Sequence, residues 1–212
     1  MRKDPPAEVC RMFLCRHGAT AANEMRPYIL QGCEMNGPLT PIGEAQASSL
    51  AGALQNFPLR AVYASPLLRA RQTAQIVAER HRLAVATDEQ LRECSVGRWE
   101  GMDWETIRTK DAAAHDAFFA DPATNPHPGG ESYTDVLNRA MPVLSSLAEK
   151  HRGEAIVVVA HNMLNRVVVT PLLGLPLKTA RQVKQANCCI NVIEWTAGKP
   201  ELVTLNSILH LD

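Results

Sequence analysis

The run Ala155-Ile156-Val157-Val158-Val159-Ala160 constrains the fold of this chain more than any other short segment, because apolar and mostly β-branched residues follow one another without alternation. A strand of that kind needs cover on both faces, which is the situation of a parallel sheet between two helical layers. Glu8 to Cys15 reads as a second such strand, and Ala61-Val62-Tyr63-Ala64 as a short third. Helical patterns separate them. Thr40-Pro41 supplies an N-cap and a proline at the first helical position, and Gly43 to Phe57 continues that helix. Ser65-Pro66 opens another, carried by Leu68, Ala70, Ala74, Val77 and Ala78. Glu131 to Lys150 and Asn162 to Leu173 read as helices on either side of the valine run, and Asn187 to Trp195 and Glu201 to Leu205 as strands that close the sheet. The alternation predicts a three-layer α/β/α sandwich with a mostly parallel central sheet. A length of 212 residues suits one domain over 1–212. Asp121 to Gly130 holds three prolines and two glycines without apolar periodicity, so 97–130 is expected to form a cap or rim.

Charge excludes some function classes. Lys plus Arg and Asp plus Glu both number 22, so no global field favours nucleic acid or an anionic membrane, and any anion site must be local. There is no apolar run of membrane-spanning length, and Met1 to Pro6 does not lead into a signal-peptide core; a soluble cytoplasmic protein is expected. The six cysteines lack C-x-x-C spacing and are expected to be reduced, with Cys188-Cys189 packed as small hydrophobes in a strand. No H-E-x-x-H, calcium loop or thiolate cluster appears, so neither metal nor cofactor is expected. A homodimer is one option for the oligomeric state, which the sequence does not fix.

In open α/β sheets ligands bind beyond the carboxyl ends of the strands, and that rule ranks the seven histidines. His17 and His161 each follow a predicted buried strand. His81, His115 and His151 fall in or beside polar helical segments and are expected at the surface, while His127 and His210 stay unassigned. Arg16 adjoins the first histidine, and Arg69 stands in the first turn of the helix after Ser65-Pro66, where a guanidinium fork and helix N–H groups favour an anion. Two arginines and two histidines at one sheet edge suggest a phosphate clamp. Glu93, in a loop with Gly97, Trp99 and Gly101, is the candidate proton donor in preference to Glu100.

These residues stand in five ordered motifs. The first is Arg16-His17-Gly18 with Thr20 and Asn23, followed by Gln31-Gly32 and Pro38-Leu39-Thr40-x-x-Gly43. Then come Ser65-Pro66-Leu67-x-Arg69-Ala70-x-Gln72-Thr73-Ala74, Leu91-x-Glu93-x-x-x-Gly97-x-Trp99-Glu100-Gly101, and Pro128-Gly129-Gly130-Glu131-Ser132 with His161. The pattern resembles the histidine phosphatase superfamily, also called the phosphoglycerate mutase-like family, over nearly the whole chain. The resemblance implies a phosphohistidine intermediate on His17, with Arg16, Arg69 and His161 around the phosphoryl group and Glu93 as acid and base. It also implies that Thr20, Asn23, Gln31, Gly32 and Asn162 help to bind phosphate or substrate. Ala19 and Asn162 depart from the polar residue and the glycine that relatives carry there.

The leading expectation is a cofactor-independent phosphatase acting on a small phosphorylated metabolite. Phosphoglycerate mutase is the alternative, disfavoured by a length that leaves little room for the insertion and tail of typical mutases. A silent phospho-ligand-binding module is the third, and retention of Arg16, His17, Arg69, Glu93 and His161 argues against it. Glu131 is read either as a helix first-turn acid or as a site residue, and His210 as a packing residue.

Overall fold

The computed structural model describes residues 4–211. Six strands build one sheet: β1 (Val9–Arg16), β2 (Leu59–Ala64), β3 (Val85–Thr87), β4 (Ala155–Ala160), β5 (Ile190–Thr196) and β6 (Lys199–Ser207), in the order β3-β2-β4-β1-β5-β6. The first four in that order are mutually parallel; β5 runs antiparallel to β1, and β6, antiparallel to β5, returns to the direction of β1. A tight turn makes the reversal between β5 and β6. Ala197 and Gly198 both take positive φ, 50° and 75°, which closes β5 and β6 into a two-residue hairpin. β3 escapes sequence reading because its three residues are too few to set a pattern.

Side chains of β4 alternate between two apolar cores. Ile156, Val158 and Ala160 join one with Met12 and Leu14 of β1, whereas Ala155, Val157 and Val159 join the other with Phe13 and Cys15. The first core is covered by α6 (Tyr133–Lys150) and α7 (Asn162–Leu172), the second by α2 (Pro41–Leu54) and α3 (Leu68–His81). On α6, Val136, Ala140, Leu144 and Ala148 are buried at four-residue spacing, so one stripe faces the sheet. Burying each of its larger side chains contributes about 1.5–3 kcal/mol. The short α1 (Ala21–Glu24) follows β1, and α4 (Trp104–Lys110) and α5 (Ala112–Ala120) lie within 97–130.

Caps fix the helix starts. Thr40 Oγ1 accepts from the Gly43 N–H at 3.1 Å, as its position predicts. α6 begins two residues after the expected Glu131, because Ser132 Oγ accepts from Asp135 N–H while Asp135 accepts from Ser132 N–H, a closed capping box. Glu131 is therefore outside the helix and is not a first-turn acid. For α3 the N-cap is Leu67, and Ser65 Oγ accepts from the Leu67 N–H to turn the chain into the helix. One histidine expected at the surface is buried: Tyr63 Oη donates to His151 Nε2 at 2.8 Å and His151 Nδ1 donates to Glu154.

Register places the site. Arg16 of β1 stands opposite Ala160 of β4, so the next residues, His17 and His161, leave the sheet side by side at its carboxyl edge. The last residue of β2, Ala64, leads through Ser65 and Pro66 to α3 and brings Arg69 to the same edge.

Candidate active site

The His17 ring is buried, and its two nitrogens have different partners. Nδ1 lies 2.7 Å from the Gly18 carbonyl and must donate there; Nε2 lies 3.2 Å from Arg69 Nε, which can only donate. The partners thus select the tautomer with its lone pair on Nε2, pointed at the arginine edge of the site. Burial, first, and then Arg16 and Arg69 hold His17 well below the ordinary histidine range, against a smaller opposite pull from the Gly18 carbonyl. The ring is therefore neutral across the physiological range. The charge repulsion expected from the arginines is present but ranks second to desolvation.

Arg69 is fully buried and donates Nη1 to the Met35 carbonyl at 2.8 Å and Nη2 to the Gly32 carbonyl at 2.9 Å. Glu100 holds those carbonyls in place, since its Oε1 accepts from Gly32 N–H and Met35 N–H. A Cβ on Gly32 would stand 2.4 Å from Glu100 Oε2, so the loop closes on that carboxylate only with glycine. Thr73 Oγ1 accepts from Gly18 N–H and donates to the Arg69 carbonyl, joining the two motifs. Arg16 donates Nη1 to the Gln185 carbonyl, and Gln185 is itself locked to Asn191 of β5 by a pair of amide hydrogen bonds. Burial pushes the Arg16 guanidinium down to about 10, which leaves it charged at neutral pH.

His161 is the N-cap residue of α7, and its ring centroid lies 5.2 Å from that of His17. Both of its nitrogens are buried without a partner among the described residues, and burial, with Arg69, His17 and Arg16, keeps it well below the ordinary range. Glu93 accepts from Cys94 and Leu164 N–H on Oε1 and from Met163 N–H on Oε2. It occupies the amino end of α7, with both oxygens engaged as acceptors. Arg139 grips its loop from behind, donating to the Glu93 carbonyl, the Gln90 carbonyl and both oxygens of Glu131. Glu131 also accepts from Ser95 N–H, so its work is to fix the acid loop.

Beyond these groups opens a cleft of about 390 Å³. Arg16, His17, Asn23, Gln31, Glu93 and Asn162 line it. Arg69 and His161 lie behind His17. Thr20 and Gly32 act indirectly: Thr20 Oγ1 donates to Gln31 Oε1, and Gly32 supplies a carbonyl to Arg69. Asn187, missed in the sequence, donates to the His17 carbonyl and to Asn23 Oδ1. The sequence pattern makes it the first residue of a strand over Asn187 to Trp195, whereas β5 begins at Ile190 and leaves Asn187, Cys188 and Cys189 in the turn before it. Arg166 and Arg181 also line the cleft, as do Trp104, Phe118 and His127 from 97–130. His210 bonds the Cys188 carbonyl, a packing contact.

A family model described as the histidine phosphatase superfamily, branch 1, matches residues 12–208. The chain belongs to that superfamily. Among curated relatives, the probable phosphoglycerate mutase GpmB of Yersinia enterocolitica is 30% identical over 207 residues, covering 95% of each chain. The protein of the same name from Proteus mirabilis is 29% identical, covering 95% of this chain and 94% of its own. Among solved structures, Bacillus stearothermophilus YhfR superposes with a TM-score of 0.87 at 29% identity, covering 96% of this chain and all of that one. Entamoeba histolytica phosphoserine phosphatase, solved with 3-phosphoglyceric acid, gives 0.83 at 27% identity over 96% of this chain and 100% of its own. A mycobacterial glucosyl-3-phosphoglycerate phosphatase gives 0.82 at 27% identity, over 94% and 100%.

As a histidine phosphatase superfamily member the chain acts on phosphate groups, and the site described above is where its motifs converge. Among the described residues no group of three or more histidine, cysteine or acidic side chains could hold a metal ion, and no helix is long and apolar enough to cross a membrane.

Proposed function

We propose that this chain is a phosphoric monoester hydrolase that transfers the phosphoryl group of a small metabolite to His17 Nε2 and then to water. The observation that carries the reading is the divided bonding of His17, with Nδ1 held by the Gly18 carbonyl and Nε2 left as the lone-pair nitrogen beside Arg69. Neutral imidazole attacks phosphorus without a base to deprotonate it. Arg16 lines the cleft beside His17, while Arg69 and the unpartnered His161 ring lie against the His17 ring; in this reading they are the donors that stabilise the charge that spreads during transfer. Glu93, which lines the same cleft, protonates the leaving alkoxide and then, as carboxylate, takes a proton from the attacking water. Thr20, Asn23, Gln31 and Asn162 shape the phosphate end directly or through one another. No metal or organic cofactor enters this scheme. A reducing, cytoplasmic setting belongs to the reading and is supported by six cysteines that are all free.

Brief reaction with a radiolabelled phosphate monoester, quenched in base, should leave acid-labile label on His17. His17→Ala should take up none and lose turnover by a factor on the order of 10⁴ or more while staying folded. Turnover near that of the parent in a folded variant refutes the mechanism.

The mutase alternative is supported by the GpmB relatives and remains the second reading. It differs only in the acceptor, a hydroxyl of the bound intermediate in place of water. Incubation with 3-phosphoglycerate decides: phosphate release ahead of isomerisation supports the phosphatase, and isomerisation ahead of release supports the mutase.

A further inference from the structure

The cleft holds two further cationic side chains that the phosphoryl chemistry leaves unused. Arg166, one turn into α7 beyond Asn162, and Arg181, in the 3-10 turn Leu177–Gln182, both face the cavity. Neither guanidinium makes a salt bridge or hydrogen bond among the described residues, whereas Arg16 donates through Nη1 and Arg69 and Arg139 each donate through three guanidinium nitrogens. The Arg166 Nε is wholly shielded from solvent and has no acceptor. Tyr133, at the amino end of α6, is also completely buried, lines the same cavity, and carries a hydroxyl without a partner. The Arg181 guanidinium lies 4.8 Å from the ring centroid of Trp104 and 4.1 Å from that of Phe119, so the aromatic rim presets its position.

Buried donors without acceptors are costly, and two unpaired guanidinium groups beside an unpaired phenol share one remedy: an anion from outside. We infer that Arg166, Arg181 and Tyr133 form a subsite in the same cleft for a second acidic group on the substrate, a carboxylate or a second phosphate, apart from the phosphoryl group bound at His17. The substrate is then a phosphate monoester with two anionic ends. The inference rests on the phosphatase reading and names its substrate class. A competing role for Arg166 is to neutralise Glu93, whose charge it feels; Arg181 has no such link to the acid.

The test uses straight-chain ω-phosphooxy carboxylic acids with two to six methylenes, each paired with its neutral primary amide, and alkanediol bisphosphates paired with the monophosphates. The readout is the ratio of kcat/KM within each pair, which cancels any effect of a substitution on the chemical step. In the parent enzyme one series should favour the charged member by about 10- to 100-fold, the range of a charge-assisted hydrogen bond. The favoured series identifies the group as carboxylate or phosphate. Arg181→Gln should reduce that ratio towards one, Arg181→Lys should restore part of it, and Arg166→Gln should lower it as well. A ratio near one in both series for the parent overturns the subsite, as does a ratio that survives both glutamine substitutions. Loss confined to Arg166→Gln, with a shifted acid limb in its pH–rate profile, also overturns it in favour of the Glu93 role. Failure of the phosphatase reading looks different, since no monoester of either series is then hydrolysed.

Discussion

At the residue scale, the chemistry depends on two side chains whose environments act in different ways. His17 is kept neutral chiefly by burial, and its orientation is set by one carbonyl and one guanidinium. Glu93 is positioned through backbone N–H groups from its own loop and from α7; glutamine keeps one acceptor oxygen, replaces the other with an NH2 group, and has no acid proton to give. Glu93→Gln should therefore slow hydrolysis of alkyl phosphates by about 10²-fold or more and of p-nitrophenyl phosphate far less, because nitrophenolate leaves without a proton. Steady-state rates on both substrates check this; equal slowing removes Glu93 from the acid role. Arg16, His17, Arg69 and His161 were legible because they stand at strand ends or at a helix start, and Glu93 because its loop carries a distinctive motif. Asn187, Arg166 and Arg181 were not, because polar residues in loops and on helix faces are ordinarily solvated, and only the folded cleft shows that these are enclosed.

At the element scale, the acid loop is held by one arginine of α6. Arg139 joins Glu131, Gln90 and Glu93, and through Glu131 the Ser95 amide, so a single side chain ties α6 to the segment 90–95. Arg139→Gln should lower kcat on alkyl phosphates by about tenfold with KM nearly unchanged, and reduce stability by about 1–3 kcal/mol as buried acceptors lose their donor. A kcat at the parent level in a folded variant would mean that the loop holds itself. The helices were readable from caps and apolar spacing, although the capping box of Ser132 and Asp135 moved the start of α6 past Glu131. Strand direction was less accessible: an apolar run reports two-sided burial, whereas the reversal from β5 to β6 depends on the positive φ of Ala197 and Gly198.

At the scale of the whole molecule, the site has a consequence for stability. His17 and His161 are fully enclosed and held well below 6.5, and His127 is lowered as well, in each case mainly by burial. The unfolded chain takes up protons on these rings as pH falls through about 6.5, while the native state does not. Native stability contributed this way is complete above that pH and declines as the medium is acidified towards the depressed native values. Each such ring adds up to about 1.4 kcal/mol per pH unit to the slope. Urea unfolding at pH 7.5, 6.5 and 5.5 should show this loss, and His161→Gln should flatten it by one ring's share; a level profile across that range contradicts the burial of neutral histidines.

The cleft's two halves rest on different foundations. Its reacting half emerges from the edge of the central sheet, where a shift of one residue would overturn both cores. Its outer wall comes from α4, α5 and the turn carrying Arg181, braced by contacts among Trp99, Trp104, Phe118 and Phe119. Mutational drift can thus rewrite the wall while the reacting edge stays fixed, and libraries confined to 104–120 and 177–182 are the economical route to retargeting the enzyme.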